Sequence, residues 1–276
     1  MTTTPPTIDS PTEAEHDWRE AGVAWGHAAN DWACLYEHYA DEVIAAMFQR
    51  LGVGPGISLV DIACGAGRAV RHAEAIGATA AGIDAAADLI DIAQERTPGA
   101  DLRLGSMYSL PWKDGIFDAA VSVNGIWGGC EAALAEAWRV LRPGGRIGIS
   151  FWGSGRPLDL RECFKAFARH APQPHFGSMK RLNNIAKPGV AEQMMDAAGF
   201  EIIERGARVS CIEWPDGEIA WRAVSSIGPA VPALECGDVD VIRSEVMAAL
   251  DGCRGPSGIY RFRNDHQFVI AAKPVP

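Results

Sequence analysis

A short stretch near residue 60 joins an acidic side chain to a glycine-containing turn. Residues 59–68 read LVDIACGAGR, so an apolar run that contains Asp61 is followed by Gly65 and Gly67. Where a strand passes through such a turn into a helix, exposed backbone N–H groups and the positive end of the helix dipole form a binding place for a ligand. The dinucleotide fingerprint G-x-G-x-x-G/A requires a small last residue. Val70 occupies that position, which disfavours NAD.

A second acidic residue ends the next apolar run. Asp84 lies 17 residues after Gly67, at the end of the string TAAGID at 79–84. A carboxylate at the end of the second strand of a doubly wound sheet can accept hydrogen bonds from both hydroxyls of an adenosine ribose. The glycine turn and the two acids together therefore predict a site for an adenosine-containing cofactor.

Three further segments follow in order. Gly105-Ser106-Met107 ends a third apolar run, residues 110–118 read LPWKDGIFD, and a helix-like stretch is stopped by RPGG at 142–145. With these segments, the chain from Ile57 to Trp152 resembles the class I S-adenosylmethionine (SAM) dependent methyltransferases, in the broad group that includes the ubiquinone/menaquinone-biosynthesis methyltransferases. The resemblance implies SAM as the cofactor, S-adenosylhomocysteine (SAH) as the product, and methyl transfer to O, N or C of an acceptor by in-line displacement at the sulfonium.

The resemblance also implies the cofactor contacts. Asp61 and the glycine turn would hold the methionine end of SAM, and Asp84 would bind the ribose. Two positions depart from the family pattern: Ala63 replaces the first glycine of the turn, and Ser106 lacks the carboxylate that would accept from the adenine amino group. The implied cofactor residues are Asp61, Ala63, Gly65, Gly67, Asp84, Ala85, Leu89, Ser106, Met107 and Asn124, with Leu89 and Met107 against the adenine and Asn124 where methyl donor and acceptor meet.

The acceptor side of the site carries weaker signals. Attack on a sulfonium needs alignment and a dry site, and it needs a general base only where the acceptor is protonated at neutral pH. The candidate bases are His170 and His175, which lie in a proline-containing loop where surface histidines are also common. Trp25, Tyr108 and Trp127 are candidates for the pocket wall, with ordinary core packing as the alternative.

From Ile57 onward, short apolar runs alternate with helical segments, which is typical of βαβ units. We therefore expect an α/β fold with a doubly wound, mostly parallel seven-stranded sheet of the Rossmann-like methyltransferase kind, with helical lid insertions; the family usually has its last strand antiparallel. The expected divisions are a disordered tail at 1–12, an N-terminal helical lid at 13–50, and a SAM-binding domain at 51–276 with cover insertions at about 156–187 and 216–255. Residues 258–263 and 267–272 are predicted as two strands joined by a turn at Asn264-Asp265.

Aromatic residues mark the N-terminal segment. Trp18, Trp25 and Trp32 recur at seven-residue spacing, which predicts an apolar helical face. Such a stripe is typical of core packing. Because methyl transfer from a sulfonium gains from a dry site, we expect this segment to close over the cofactor.

Composition narrows the function classes. The 276-residue chain has a formal net charge of −10, which argues against general affinity for nucleic acid. Its seven cysteines include no C-x-x-C, so no metal site is predicted. The opening residues lack the basic and apolar regions of a signal peptide, and no apolar stretch reaches a membrane-spanning length, which predicts a cytoplasmic protein without membrane insertion.

The basic residues are concentrated in one part of the chain. Residues 139–187 hold ten basic and two acidic side chains, and Arg161, Lys165 and Arg169 share one face of a predicted helix. A solvated face is one interpretation; a face that lines the entrance would attract an anionic acceptor. The expected partner is a small-molecule acceptor, and a homodimer is left open.

Two alternatives to a small-molecule methyltransferase stand beside it. One is an RNA or protein methyltransferase, which the net charge disfavours, as does the string Asn124-Gly-Ile-Trp127 where amino-methylating relatives often carry N-P-P-[FY]. The other is a SAM-binding module without catalysis.

Overall fold

Residues 18–153, 159–172 and 184–275 are described by the computed structural model. Their centre is a seven-stranded sheet in the order β3-β2-β1-β4-β5-β7-β6. The strands are β1 Ser58–Ile62, β2 Thr79–Asp84, β3 Asp101–Leu104, β4 Phe117–Val123, β5 Leu141–Trp152, β6 Glu201–Trp214 and β7 Tyr260–Ala272. Neighbours among β1 to β5 pair in parallel, and β7 runs antiparallel to both β5 and β6. The predicted doubly wound, mostly parallel sheet is confirmed.

Helices cover both faces of the sheet. They are α1 Trp18–Gly26, α2 Asp41–Leu51, α3 Arg68–Ala75, α4 Ala87–Arg96, α5 Glu131–Val140, α6 Arg161–His170, α7 Val190–Ala197, α8 Gly217–Ser225, α9 Val231–Cys236 and α10 Val239–Leu250. Side chains alternate along the strands, so Phe268 and Ile270 of β7 face one buried cluster while Val269 and Ala271 face the other. Helices α2, α3, α6, α8 and α10 contribute to the first cluster, and α5 and α7 to the second.

The N-terminal segment shares its core with the sheet. Between α1 and α2 the chain forms a π-helical turn at Trp32–Tyr36 and a 3-10 turn at Glu37–Ala40. Tyr39 and Met47 belong to the same buried cluster as Leu59 of β1. The part of the predicted lid that is described is therefore packed onto the sheet through a common hydrophobic core.

The predicted turn at Asn264-Asp265 is wrong. β7 continues through both residues, which pair with Ser210 and Val209 of β6. The buried Asn264 side chain accepts a hydrogen bond from the backbone N–H of Asp159. Pairing with a distant strand and burial of the amide outweigh the local turn preference of an Asn-Asp pair.

The described ranges lack two features. None of the helices there combines the length and the apolar character that crossing a membrane requires. Nor do three or more His, Cys, Asp or Glu side chains converge in these ranges in an arrangement that could hold a metal ion.

Candidate active site

The carboxyl ends of the first three strands are tied together by backbone hydrogen bonds. Just after β1, Cys64 N donates to Ile83 O of β2 at 2.9 Å, and just after β3, Gly105 N donates to Asp84 O at 2.9 Å. Asp61 lies one residue before the end of β1, between β2 and β4. The topology therefore brings the two acids that the sequence singled out to one edge of the sheet.

The turn after β1 is held by Asp84. Gly65 has φ +55° and donates its N–H to Asp84 Oδ2 at 2.8 Å. Gly67 has φ +77° and directly precedes α3, and a Cβ added there would lie 2.9 Å from Ala93 Cβ of α4. Gly67 is therefore needed for packing between two helices as well as for the turn. Ala63 takes the first glycine position at φ +61°, a conformation that costs an alanine energy that glycine avoids.

Asp84 organises the loop that follows β2 and keeps capacity for a ligand. Its Oδ1 accepts from Ala86 N at 2.9 Å while Oδ2 accepts from Gly65 N. Burial raises the pKa of this carboxyl, and the N–H groups of Ala86 and Gly65 oppose that rise because they stabilise the charged form. The backbone N–H of Ala85 also stabilises the charged form, and a carboxylate offers about four acceptor positions, so capacity for a further donor remains.

Asp61 is the unusual group of the site. It is 2% exposed, and its Oδ1 has no hydrogen-bond partner among the described residues. Burial raises the pKa of its carboxyl well above the ordinary value, and the negative charge of Asp84 raises it further. A buried acid with an unpartnered oxygen beside a second acid destabilises the folded protein. A bound cation would offset that destabilisation.

The N-terminal helix lies across the loop after β2. A Cβ added at Gly22 of α1 would lie 2.0 Å from the carbonyl oxygen of Ala85, so only glycine permits this close approach. Leu89, 2% exposed on α4, is packed under Trp25 and Trp32. The N-terminal segment thus covers the stretch that the resemblance assigns to the ribose and the adenine.

A buried ion pair joins the same segment to the glycine turn. Arg96 Nη1 of α4 donates to Glu37 Oε1 at 2.5 Å and to Ala66 O at 3.3 Å. Burial raises the pKa of Glu37, although the positive charge of Arg96 lowers it. Trp32 reaches the turn as well, because a Cβ added at Gly65 would lie 3.6 Å from Trp32 Nε1.

A row of aromatic rings extends from α1 to the end of β5 and the middle of β7. We call it the aromatic row: Trp25, Trp32, Tyr39, Trp152 and His266. Successive ring centroids are 5.0, 6.1, 4.6 and 4.6 Å apart. Trp25, Trp32 and Trp152 remain partly exposed, whereas Tyr39 and His266 are buried. The row forms an apolar surface beside the turn after β1.

Asn124, the residue after β4, holds the far end of this row. Trp152 Nε1 can only donate, which places the Asn124 amide oxygen toward it at 3.0 Å, and Tyr39 OH donates to the same oxygen at 2.7 Å. The amide nitrogen donates to His266 Nε2 at 3.1 Å and to Ser150 O at 3.3 Å. All four hydrogen-bonding positions of the amide are then used. A contact from Asn124 to a cofactor would have to come from its backbone, which has φ +56°.

His266 in this network is neutral. It is fully buried, and burial lowers its pKa to about 3. Because Nε2 accepts from Asn124, the ring proton lies on Nδ1, 3.3 Å from Ser210 Oγ. The sequence motifs do not point to His266, Tyr39 or Trp152. The available signal was the alternation of inward residues along β7, which the predicted turn obscured.

The remaining pocket candidates lie on the other side of the sheet edge. Ser106 Oγ accepts from Tyr108 N at 3.1 Å, and Tyr108 OH lies 3.4 Å from Cys130 Sγ. Met107, Tyr108 and Trp127 pack against the cluster of α5 and α7, whereas the aromatic row adjoins the opposite cluster. Of the three predicted wall residues, only Trp25 lies in the aromatic row.

Of the two candidate bases, only His170 lies within the described residues. His170 ends α6, with Nε2 at 3.3 Å from Glu245 Oε1 of α10, and no described contact joins it to Asp61, Asp84 or Asn124. His175 lies outside the described residues. Two of the three basic side chains on this face of α6 have acidic partners, because Lys165 pairs with Glu162 and Arg169 pairs with Glu245.

Several known proteins are similar to this chain in sequence. The family described as "Methyltransferase domain" matches residues 60–149. A malonyl-[acyl-carrier protein] O-methyltransferase of Serratia marcescens is 32% identical over 195 residues, which span 67% of this chain and 72% of that protein. An uncharacterized protein of Mycobacterium tuberculosis is 31% identical over 153 residues, or 53% of this chain, and the chain spans 55% of that relative's length.

The solved structures show the same architecture. The [4+2]-cyclase SpnF superimposes with a TM-score of 0.58 at 19% sequence identity, over 98% of this chain and 100% of SpnF. At that identity the likeness establishes the fold alone. With the sheet order, the family match and the Serratia relative, the chain belongs to the class I SAM-dependent methyltransferases.

The residues at this edge suit SAM. The unpartnered Oδ1 of buried Asp61 offers an acceptor to the ammonium group of the cofactor's methionine part. The acceptor capacity that Asp84 keeps suits a ribose hydroxyl.

Proposed function

We propose that the chain binds SAM at the edge formed by Asp61, Gly65 and Asp84, and transfers its methyl group to a small molecule held beneath the N-terminal segment. The observation that carries the proposal is the buried, unpartnered carboxylate oxygen of Asp61 beside a second acid that keeps acceptor capacity. SAM, when bound, supplies a methyl group attached to a positively charged sulfur. This sulfur is a good leaving group because it becomes a neutral thioether when the methyl group is transferred.

In this proposal the chain contributes alignment and exclusion of water. Asp61 and Asp84 fix the two polar ends of the cofactor, while α1 and the aromatic row close the site from solvent. A dry, aligned site accelerates in-line displacement by shortening the approach of the nucleophile and removing its hydration.

The residues at the acceptor end are poor bases. Nε2 of His266 already accepts a hydrogen bond from Asn124. The pKa of His266 is about 3, so the ring does not take up a second proton at neutral pH. Burial raises the pKa of Tyr39, so its hydroxyl stays protonated. An acceptor whose attacking atom is ionised or carries a free lone pair at neutral pH therefore suits this site best.

The surface of the aromatic row favours an acceptor with an apolar or planar body. The Serratia relative is named for O-methylation of malonyl-[acyl-carrier protein], so that compound belongs among the acceptors to be tested. An anionic acceptor stays a prediction of the charge pattern, and the pairing of Lys165 and Arg169 with acids on their own surface gives it little support. A homodimer also stays a prediction.

The proposal is tested by label transfer. The chain is incubated with methyl-labelled SAM and, in parallel, small aromatic and carboxylate acceptors, malonyl-[acyl-carrier protein], total RNA and denatured protein. We expect label in a small molecule, loss of transfer in Asp84→Ala, and retention in Asp91→Ala, which removes an exposed carboxylate from the same helix region. Label in RNA or in denatured protein, with none in a small molecule or in malonyl-[acyl-carrier protein], would overturn the acceptor class. SAH binding without transfer to any acceptor would favour the non-catalytic module.

A further inference from the structure

Among the described residues, two that are not glycine have a left-handed backbone, and they lie side by side. Ala63, after β1, has φ +61°, and Asn124, after β4, has φ +56°. A Cβ added at Gly125 would collide with Ala63 Cβ and lie 3.1 Å from Ile62 O, so the two turns are in contact. The sheet grows in opposite directions from β1 and β4, and an α/β sheet binds its ligands at such a switch point. Strained backbone persists where the surrounding structure fixes it.

Asn124 connects the two halves of the proposed site. On one side, Gly125 packs against the turn after β1, on which the cofactor is proposed to bind. On the other side, the Asn124 amide oxygen accepts from Trp152 Nε1 at 3.0 Å and from Tyr39 OH at 2.7 Å. Both rings belong to the aromatic row, beside which the acceptor is proposed to lie. One residue therefore fixes the acceptor wall relative to the cofactor turn.

His266 determines which way the Asn124 amide faces. Its Nε2 accepts from the amide nitrogen at 3.1 Å, which leaves the amide oxygen for the two aromatic donors. The imidazole is fully buried and stacks on Trp152 at 4.6 Å between centroids and 16° between planes. Its Nδ1 lies 3.3 Å from Ser210 Oγ of β6. The ring is thus held at both nitrogens and cannot turn without breaking two hydrogen bonds.

We propose that His266 is a positioning residue that fixes, through the amide of Asn124, the plane of the Trp152 ring beside the cofactor turn, and so aligns a planar acceptor with the methyl donor. The part that concerns the acceptor rests on the proposed function. Trp152 is the last residue of β5 and is partly exposed, so an acceptor can lie against it. Without an acceptor atom at position 266, the amide is free to turn over. The Trp152 N–H then faces another donor, and its ring loses its fixed orientation.

The first test needs no ligand. Hydrogen exchange of the Trp152 indole N–H is followed by NMR in the full chain, and its signal is identified by its absence from Trp152→Phe. His266→Gln keeps an oxygen that can accept from Asn124 in place of Nε2, whereas His266→Leu has a similar size and no acceptor. We expect His266→Gln to keep the slow exchange of the wild type. In His266→Leu the exchange should be about fivefold faster, the effect of one lost net hydrogen bond.

Val269→Ala is the matched control for lost stability. Val269 is buried on the same strand as His266, and it faces the opposite hydrophobic cluster. This variant should lower the free energy of unfolding in urea and leave the exchange of the Trp152 indole unchanged. Equally fast exchange in Val269→Ala and His266→Leu would show that only global stability had changed, and the positioning role would be wrong.

The second test measures transfer to the small molecule that becomes labelled with methyl-labelled SAM. In His266→Leu the kcat should fall by up to about 100-fold, because a misaligned acceptor reacts slowly, while SAH affinity stays that of the wild type. His266→Gln should keep most of the rate. Because His266 and Trp152 act through one amide, His266→Leu combined with Trp152→Phe should be no slower than the slower single variant.

Two results would overturn the proposal. One is equal indole exchange in His266→Gln and His266→Leu, and the other is a double variant whose loss of rate is the product of the two single losses. Absence of transfer by the wild type to any small molecule would count against the proposed function. The indole exchange, which needs neither SAH nor an acceptor, would still decide whether His266 positions Trp152.

Discussion

Replacing Asp61 by Asn should stabilise the free protein and weaken cofactor binding. Asp61 is buried, its Oδ1 lacks a partner among the described residues, and its pKa is raised by burial and by Asp84. The neutral amide has almost the same shape and removes a buried charge. At pH values above the raised pKa of Asp61, where its carboxyl is charged, we expect a gain of about 1–2 kcal/mol in the free energy of unfolding, the scale of an unsatisfied buried polar group. A bound ammonium group would lose a charge-assisted partner worth about 1.5–3 kcal/mol, so SAH should bind roughly 10- to 150-fold more weakly.

The pH dependence supplies a second readout. Since the folded-state pKa of Asp61 is raised, the folded protein binds its proton at a higher pH than the unfolded chain does. The destabilising contribution of Asp61 is therefore full at pH values above the raised pKa, and it fades as the pH falls through that pKa. The advantage of Asp61→Asn over the wild type should shrink in the same direction, as measured by urea unfolding across the acid range.

The matched control is Asp84→Asn. Both carboxylate oxygens of Asp84 already accept backbone N–H groups, so this variant should lower the stability of the free protein as well as SAH affinity. Calorimetric titration with SAH measures the affinity of both variants, and urea unfolding measures their free energy of unfolding. An Asp61→Asn protein that is less stable than the wild type and binds SAH with unchanged affinity would refute the reasoning.

Three further changes test the geometry around the site. Ala63→Gly should raise the free energy of unfolding by about 0.5–1 kcal/mol because it relieves φ +61°, and lower stability in urea would contradict that strain. Gly22→Ala should lift α1 from Ala85, which speeds proteolysis of α1 and weakens SAH binding, whereas Val23→Ala, at a position 73% exposed on the same helix, should change neither. Burial lowers the pKa of His266 to about 3, so the unfolded chain binds this proton first. Stability should then fall by up to about 1.4 kcal/mol per pH unit below about pH 6.5, and His266→Gln should have a shallower slope in urea unfolding between about pH 4.5 and 7. Equal slopes would show that His266 titrates normally.

The part of the site that the sequence could predict is the part built from neighbouring residues. Asp61, Gly65 and Asp84 each end or follow an apolar run, and the carboxyl ends of parallel strands meet at one edge of a sheet. That these side chains lie at one edge therefore follows from a parallel sheet, which the repeated βαβ pattern predicted.

The network around Asn124 could not be predicted in that way. His266 is 142 residues away in sequence, and Tyr39 is 85 residues away. Both meet Asn124 because β7 inserts beside β5 and because the segment before α2 crosses the sheet edge. The local turn preference of Asn264-Asp265 pointed away from the strand that carries His266. Long-range pairing decided the outcome, because it outweighs the local turn preference.

A structure of the chain with SAH bound tests the central claim most directly. The account predicts the ribose hydroxyls within hydrogen-bonding distance of Asp84, the ammonium group beside Asp61 Oδ1, and the sulfur directed toward the space between the turn after β1 and the aromatic row. A complex in which SAH contacts neither Asp61 nor Asp84 would contradict it.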